Sequence, residues 1–429
     1  MNKATRTAVI VGGARIPFAR SNSAYAKIGN QEMLTAAFQA LVGKFGLKGE
    51  RLGEVAAGAV IKHPRDWNLA REAALGCGLD PHTPAYDLQR ACGTSLTAAA
   101  QFAHRIALGE IDCAIAGGVD TASVVPIVHS EGMTDILLTS ARGRTLRQRL
   151  APWLKLRPGD FKPVTPGVAE PRTGMSMGEH TELMAKEWQI TRHAQDELAL
   201  SSHQKAAAAY KAGFYDDLVV PFGGLKRDNN LRDDANLPAM AKLKPVYDRS
   251  PAGTLTAANS TPLTDGASCV LIASEDWAKA RGLPMQVRFV DYAVAAVDYV
   301  GMTGPKEGLL MAPTYAVPQM LDRQGITLQD FDIYEIHEAF AAQVLCTLKA
   351  WESEDYCRTR LGRKSALGPI DRAKLNPVGS SVALGHPFAA TGTRIVATLA
   401  KELEKRGSGR GLVSVCTAGG MGVTAILER

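Results

Sequence analysis

Three short segments rich in small residues hold side chains that could form a catalytic site. Cys92 lies in QRACGTS, His386 lies in GHPF, and Cys416 begins CTAGGMG. A cysteine and a histidine that are distant in the sequence can act as nucleophile and base where the fold brings them together. A second thiol beside a glycine-rich turn indicates proton transfer beyond simple acyl transfer.

Cys92 is followed by Gly93 and then by a helical pattern. A thiol at a helix N-terminus feels unpaired amide groups and the helix dipole, and both stabilise the reactive thiolate. We expect Gly93 to let the backbone approach a substrate closely. The alternative is a small buried cysteine without a chemical role.

His386 stands between Gly385 and Pro387, and proline suits the first turn of a helix. We therefore expect His386 at a helix start, where it can accept the thiol proton of Cys92 as a general base. Cys416 ends an apolar strand, and the glycines after it expose amide groups toward developing negative charge. The alternatives are a capping or core histidine and a buried strand-end cysteine.

His337 lies in YEIHEAF, at a predicted strand-to-helix junction, where it could orient a water molecule or bind an oxyanion directly. The other cysteines and histidines lack comparable surroundings, and we interpret them as ordinary core or surface residues. They are Cys77, Cys113, Cys269, Cys346, Cys357, His63, His82, His104, His129, His180, His193 and His203.

The composition excludes several classes of protein. The 429 residues, 46% of them hydrophobic, suffice for two or three domains or for one α/β unit with a duplicated core. No apolar run reaches the ~18 residues of a membrane span. The first residues lack the apolar region of a signal peptide, and the last three are not the peroxisomal signal, so we expect a cytoplasmic protein.

The net charge, the cysteine pattern and the glycines near the N-terminus bear on which ligands the protein binds. A net charge of +6 ordinarily serves solubility, and the alternative is attraction of an anionic substrate such as a nucleotide or coenzyme A. Seven cysteines without a CxxC pair argue against a disulfide framework and a zinc ribbon. Residues 9–14 do not complete GxGxxG. We expect no metal, no nucleotide cofactor and no nucleic-acid partner.

Strand and helix patterns alternate in the first and last thirds of the chain and predict an α/β fold with a mainly parallel sheet. The segment 130–174 is rich in arginine, proline and glycine, and we expect it to lie outside the core as an excursion or flap. Strands are predicted at 7–11, 55–60, 112–116, 268–273, 332–336 and 412–416, and helices at 31–45, 95–108, 177–188, 194–212, 338–348 and 385–400.

The first and last thirds end on the same order of helix, strand and two glycines. Residues 92–118 follow this order, and residues 386–420 repeat it. The repetition predicts an internal duplication. A duplicated core would bring the starts of two central helices together, so that Cys92 and His386 could meet.

These segments occur in order with further motifs, which are RIPF at 15–18, Gly-Gly at 117–118, TAANSTPLTDGA at 256–267 and NPVGSSVALGHP at 376–387. Together they closely resemble the thiolase family over nearly the whole chain. The resemblance implies a duplicated α/β core in five layers, α-β-α-β-α, with an inserted loop domain. It divides the chain into an N-terminal core half (1–120), the inserted loop domain with most coenzyme A contacts (121–250), the end of the N-terminal half (251–285) and a C-terminal core half (286–429).

The resemblance also implies a role for each reactive side chain. Cys92 would become acylated, His386 would activate it, and Cys416 would move the proton at the α-carbon of acetyl-CoA. The amide of Cys92 would join an oxyanion hole with the amide of Ala418. The oxyanion and substrate-binding positions that the resemblance implies are Ala418, Gly419, Thr261, Met177 and Phe388.

Many thiolases have asparagine at the position of His337, and histidine resembles the branch that forms the β subunit of multienzyme fatty-acid oxidation complexes. The resemblance implies thiolysis of 3-oxoacyl-CoA by coenzyme A, the last step of fatty-acid β-oxidation, in a homodimer or homotetramer without a cofactor. We hypothesise a hydratase/dehydrogenase α subunit as partner, from His337 and the arginine- and leucine-rich residues 140–162.

Three other functions stay open. One is an acetoacetyl-CoA thiolase working in the biosynthetic direction, and another is an inactive CoA-binding scaffold subunit. The third is a decarboxylating condensing enzyme of the same fold. That class usually pairs its cysteine with two histidines, so a second cysteine at 416 favours a thiolase.

Overall fold

The computed structural model describes residues 5–429. Within this range the chain forms ten strands, which are β1 (Ala8–Arg15), β2 (Ala19–Arg20), β3 (Glu54–Ala57), β4 (Ala85–Asp87), β5 (Cys113–Asp120), β6 (Thr264–Ser274), β7 (Val287–Ala296), β8 (Ile333–Ile336), β9 (Arg410–Thr417) and β10 (Met421–Glu428). The same range holds fourteen α-helices, which are α1 (Asn30–Lys44), α2 (Leu69–Gly76), α3 (Thr94–Ala107), α4 (Glu131–Arg142), α5 (Leu146–Leu150), α6 (Met177–Glu187), α7 (Arg192–Lys211), α8 (Leu237–Ala241), α9 (Glu275–Ala280), α10 (Pro313–Gln324), α11 (Ala341–Glu352), α12 (Glu354–Thr359), α13 (Ser381–Leu384) and α14 (Thr391–Arg406).

One run of hydrogen-bonded strands links the two halves of the chain, in the order β4-β3-β5-β6-β1-β7-β10-β9-β8. The order β3-β5-β6-β1 in the N-terminal half recurs as β8-β9-β10-β7 in the C-terminal half. In each half the first pair is parallel and the next two pairs are antiparallel. The predicted internal duplication is confirmed.

The prediction of a mainly parallel sheet is wrong. Among the described strands, only β3–β4, β3–β5 and β8–β9 pair in parallel. Helices connect the strands of these parallel pairs, as the alternation of strands and helices predicts. By contrast, β9 and β10 are joined by a tight turn, which forces them to be antiparallel. In the other half, β5 and β6 pair in the same antiparallel way, although more than a hundred residues of chain connect them.

Two helices, α3 and α14, form the central layer. Both contact strands of each half-sheet, while α1 and α2 cover the outer face of the N-terminal half and α10 covers that of the C-terminal half. The buried side chains of α3 and α14, largely alanine, threonine and leucine, lie on nearly every face of these two helices. Small side chains allow helices to approach closely between two sheets.

The starts of α3 and α14 meet, as the duplication predicts. A Cβ added to Gly392 would lie 2.3 Å from the amide nitrogen of Leu96, so only glycine permits this approach. A Cβ added to Gly118 would lie 2.0 Å from the carbonyl oxygen of Ala389. The chain thus holds the first turns of α3 and α14 together and packs β5 directly against the loop before α14.

The segment between β5 and β6 carries helices α4 to α8. Residues 130–174 lie outside the main cores, as predicted, with few buried side chains such as Met133 and Ile136. The segment is nevertheless partly helical, because Ser130 and Thr145 cap α4 and α5 by accepting hydrogen bonds from backbone amides. Among residues 5–429, no helix combines the length and the apolar character that crossing a membrane requires.

Candidate active site

Cys92 lies in a tight turn between β4 and α3. Ala91, just before it, has φ 43°, a left-handed conformation that is uncommon outside glycine. The amide of Gly93 donates to the carbonyl of Arg90 and closes the turn. A Cβ added to Gly93 would lie 2.5 Å from Val423 Cγ2, so this glycine serves close packing against β10. Its predicted purpose was close approach to a substrate.

His386 lies in the loop between α13 and α14, so the predicted helix at 385–400 begins only at Thr391. The start of β6 fixes the backbone of His386, because the His386 amide donates to Thr264 Oγ1 at 2.7 Å. Its Nδ1 lies 2.5 Å from Thr391 Oγ1. These contacts aim Nε2 at the sulfur of Cys92, 3.2 Å away. The predicted meeting of Cys92 and His386 is confirmed.

Burial sets the protonation of this pair. Burial raises the pKa of the Cys92 thiol to about 12, against the smaller opposing effect of the amides of Ala418 and of Cys92 itself. Burial and the charge of Arg394 lower the pKa of His386 to about 3. The expected stabilisation of the thiolate by a helix start is therefore outweighed by desolvation. The resting pair is a neutral thiol donating to a neutral imidazole.

Cys416 is the last but one residue of β9 and is 1% exposed. Burial raises the pKa of its thiol well above the ordinary value, and the nearness of the Cys92 thiol raises it further. The turn to β10 needs glycine at two positions, since Gly419 and Gly420 have φ of 77° and 68°. Ala418 lies outside the left-handed region, so alanine is accommodated there without backbone strain.

A carboxylate from the inserted segment supports this turn. Glu170 is buried, accepts from the amide of Gly419 at 2.7 Å, and also accepts from the hydroxyl of Tyr299 at 3.1 Å. The amide of Gly419 is therefore occupied by protein, which counts against its predicted contact with substrate. Glu170 was not singled out from the sequence, because its partner is 249 residues away.

His337 is fully buried beside the catalytic pair. Its ring centroid lies 4.1 Å from that of His386, and its Nδ1 lies 2.7 Å from Ser381 Oγ. Its Nε2 is buried and has no hydrogen-bond partner among residues 5–429. Burial lowers the pKa of His337 well below its ordinary value, and the nearby His386 ring and the charge of Arg394 lower it further, so the ring is neutral.

Cys92, His337 and His386 each offer one ligand atom, and these atoms lie within 4.8 Å of one another. This spacing fits a shared oxygen of a substrate, and it would equally fit a metal ion. The prediction that the site holds no metal stays a prediction.

Three predicted substrate-binding residues line the same region. The hydroxyl of Thr261 donates to the carbonyl of Ala339 at 3.0 Å, two residues beyond His337. Met177 is half-buried and packs on the hydrophobic cluster that contains Cys416. The Phe388 ring lies edge-on to His386, with 5.3 Å between the ring centroids. Their contacts with substrate stay predictions.

Comparison with known protein families shows which family has this fold. The thiolase N-terminal domain family matches residues 8–276, and the thiolase C-terminal domain family matches residues 285–429. The chain belongs to the thiolase family. The 3-ketoacyl-CoA thiolase of Yersinia pestis (strain Pestoides F) is 44% identical to this thiolase over 426 residues, which cover 98% of this chain and 96% of that protein.

Solved structures agree with this assignment. This thiolase is similar to the Bacillus anthracis acetyl-CoA acetyltransferase, with a TM-score of 0.81 at 30% identity over 99% of both chains. It is also similar to the human mitochondrial 3-ketoacyl-CoA thiolase in complex with CoA, with a TM-score of 0.81 at 26% identity over 99% of this chain and 98% of that one. The predicted thiolase-like fold is confirmed.

In this thiolase, Asn376 ties the segment around His337 to the segment around His386. Asn376 has φ 44°, and its side-chain amide donates to Glu338 Oε1 at 2.7 Å. Its Oδ1 accepts from the amide of Ile336 at 2.9 Å. Asn376 begins the NPVGSSVALGHP motif of the resemblance, but the local sequence could not show that its side chain joins two motifs.

Proposed function

We propose that this thiolase cleaves 3-oxoacyl-CoA with coenzyme A, through an acyl-enzyme on Cys92, as the last step of fatty-acid β-oxidation. The 3.2 Å contact between Cys92 Sγ and His386 Nε2, beside the buried thiol Cys416, is the observation that carries the proposal. The names of the relatives, 3-ketoacyl-CoA thiolases among them, support it.

The first step is the attack of Cys92 on the 3-oxo carbon. His386 Nε2 accepts the thiol proton as the carbon–sulfur bond forms, because the resting pair is neutral. The amides of Cys92 and Ala418 donate to the oxygen of the tetrahedral intermediate, and both already act on the sulfur of Cys92. Amides that are fixed in advance stabilise such an oxyanion by ~3–4 kcal/mol.

The second step breaks the carbon–carbon bond and releases the enolate of acetyl-CoA. The Nε2–H of His337 donates to the enolate oxygen, and Cys416 gives its proton to the α-carbon. Acetyl-CoA leaves, with the acyl group on Cys92 and a thiolate on Cys416. The apolar surroundings that raise the pKa of Cys416 make its thiol the stable form and its thiolate a strong base.

The third step transfers the acyl group to coenzyme A. The thiolate of Cys416 takes the proton of the CoA thiol, and the CoA sulfur attacks the thioester carbon. Cys92 leaves and recovers its proton from His386, so both thiols and the imidazole return to their starting forms. Protons and bonds balance without any redox group.

A thiolysis assay tests the proposal. The protein is mixed with coenzyme A and a 3-oxoacyl-CoA of medium or long chain, and loss of the 3-oxo thioester is followed. We expect turnover that Cys92→Ala abolishes, while a series of chain lengths identifies the preferred substrate. If acetoacetyl-CoA is the sole substrate, the biosynthetic thiolase replaces this proposal. No turnover with any chain length would favour the inactive scaffold subunit.

We also propose that residues 121–250 form an inserted loop domain that supplies most of the coenzyme A contacts. Two contacts support it, since Glu170 and Met177 of this segment reach the turn and the cluster around Cys416. The expected result in variants of this segment is weaker binding of both coenzyme A and 3-oxoacyl-CoA, with a retained rate of acylation of Cys92 at saturating 3-oxoacyl-CoA. The homodimer or homotetramer and the cytoplasmic location stay predictions.

The hydratase/dehydrogenase partner is supported by apolar side chains on and after α5. Leu146 is 73% exposed and Leu154 is 90% exposed, and arginines 147 and 149 lie between them in the sequence. Exposed apolar patches with a polar rim mark interaction surfaces. Leu154→Asp is expected to abolish co-purification with a hydratase/dehydrogenase subunit and to retain thiolysis. Leu108→Asp, at an exposed helix end elsewhere, is the matched control. Co-purification that withstands Leu154→Asp would contradict the surface.

A further inference from the structure

Behind the active site, a chain of buried polar side chains runs from Arg394 to His337. Arg394 is 1% exposed, and its Nη2 donates to Ser381 Oγ at 2.6 Å. Ser381 Oγ lies 2.7 Å from Nδ1 of His337. On the other side of the ring, Nε2 faces Cys92 and His386 and has no hydrogen-bond partner in the described part of the chain. The three side chains come from α14, α13 and the loop after β8.

The direction of each hydrogen bond follows from what the groups can do. Arginine stays protonated in proteins and has no acceptor, so Arg394 can only donate to Ser381. Within the described part of the chain, Ser381 Oγ has hydrogen-bond contacts with Arg394 and His337 alone. The single hydroxyl proton of Ser381 therefore has one acceptor, which is Nδ1 of His337.

A neutral imidazole carries one proton, so an accepting Nδ1 leaves that proton on Nε2. The opposite tautomer would leave the buried hydroxyl of Ser381 without an acceptor and would turn a lone pair toward the site. Buried polar groups without partners are disfavoured. The hydrogen bond that Nδ1 accepts therefore sets the tautomer of His337 and leaves the ring proton on Nε2.

We propose that Arg394 and Ser381 are positioning residues that lock His337 in its Nε2–H tautomer and so keep a hydrogen-bond donor aimed at the substrate oxygen. The inference rests on the proposed function, because the donor is useful where an enolate oxygen forms. Neither positioning residue touches substrate. Both set the tautomer through His337.

The tautomer is measured directly by nitrogen-15 NMR of the resting protein labelled on histidine, with His337→Asn identifying the signal of His337. We expect a protonated Nε2 and an unprotonated Nδ1 in the wild type. In Ser381→Ala we expect a mixture of the two tautomers. A wild-type ring with its proton on Nδ1 would overturn the proposal, whether or not Ser381→Ala folds.

Kinetics supply the second readout and a matched control. Ser380 is also buried and accepts from the same guanidinium at 3.3 Å, but within the described part of the chain its side chain makes no hydrogen bond with His337. We expect Ser381→Ala to lower kcat by at least ~10-fold with KM within about threefold, and Ser380→Ala to stay within about twofold. Ser381→Thr, which keeps the hydroxyl, should recover most of the loss. Equal effects of the two alanine variants would contradict the positioning role.

The two tests separate the inference from the proposed function. The NMR experiment reports on the resting protein and needs no turnover, so a correct tautomer with no thiolysis would reject the function alone. Thiolysis together with the wrong tautomer would reject the inference alone.

Discussion

The N-terminal and C-terminal halves of this thiolase repeat one topology but supply different chemistry. The N-terminal half places its nucleophile, Cys92, in a strained turn before α3, where it remains half-buried. The C-terminal half places His386 before α14, and adds His337 and Cys416 from the ends of β8 and β9. All three of these side chains are at most 4% exposed. The repeated topology thus brings a half-buried nucleophile next to fully buried proton-transfer groups.

This difference separates acyl transfer from carbon–carbon chemistry. The contact between the halves, Cys92 with His386, suffices for acyl exchange between CoA molecules. Because no carbon–carbon bond breaks in that exchange, His386 can pass the proton of Cys92 to the departing CoA sulfur, and Cys416 stays a thiol. Cleavage of the carbon–carbon bond also needs Cys416, which belongs to the C-terminal half alone.

The largest effect is expected for Cys416→Ala. Cleavage of 3-oxoacyl-CoA should fall by ~10²–10⁴-fold, because the enolate leaves without a proton donor. Exchange of labelled coenzyme A into an acyl-CoA should stay within ~10-fold, since it requires only Cys92 and His386. Steady-state thiolysis and isotope exchange, measured on one preparation, give the comparison. A parallel loss of both reactions would contradict the division.

His386→Ala is expected to impair both reactions, by ~10²–10⁴-fold each, because it removes the base that contacts Cys92. Thr391→Val removes only the hydrogen bond to Nδ1 and should cost about tenfold. The losses in the two variants are measured as the rate of acylation of Cys92 in single-turnover mixing. A His386→Ala variant with normal acylation would show that another base acts on Cys92.

The meeting of the halves can be loosened without touching a reactive group. Gly392→Ala places a Cβ 2.3 Å from the Leu96 amide and should lower the free energy of unfolding by about 1–3 kcal/mol. Gly43→Ala, in the exposed part of α1 with nothing within 4 Å, should raise it by up to ~1 kcal/mol. Urea unfolding measures both. Similar changes in the two variants would contradict the tight contact between α3 and α14.

Much of the catalytic arrangement was predictable from the sequence. Cys92, His386 and Cys416 each carry a local signal, and the repeated order of helix, strand and glycines predicts that two of them meet. The antiparallel strands and the late start of α14 were missed, because they depend on how the chain returns across the sheet. Glu170 and Ser381 were missed for a different reason, since their partners are distant and no local pattern marks them.

The smallest expected effect is the pH dependence of acylation. Burial disfavours the charged imidazolium and lowers the pKa of His386 to about 3, so protonation removes the base only near that pH. The single-turnover rate should therefore stay within about twofold between about pH 8 and pH 5, below the usual pKa of ~6.5 for histidine. Circular dichroism at each pH verifies folding. A fall with a midpoint near that usual pKa would show that water reaches His386 freely.

Formation of the acyl-enzyme on Cys92 is tested by the mass of the intact protein after mixing with a 3-oxoacyl-CoA in the absence of coenzyme A, followed by peptide mapping. We expect one added acyl group, shortened by two carbons, on the peptide that contains Cys92, and its removal when coenzyme A is added. An acyl group on Cys416, or none on either thiol while thiolysis proceeds, would contradict this expectation.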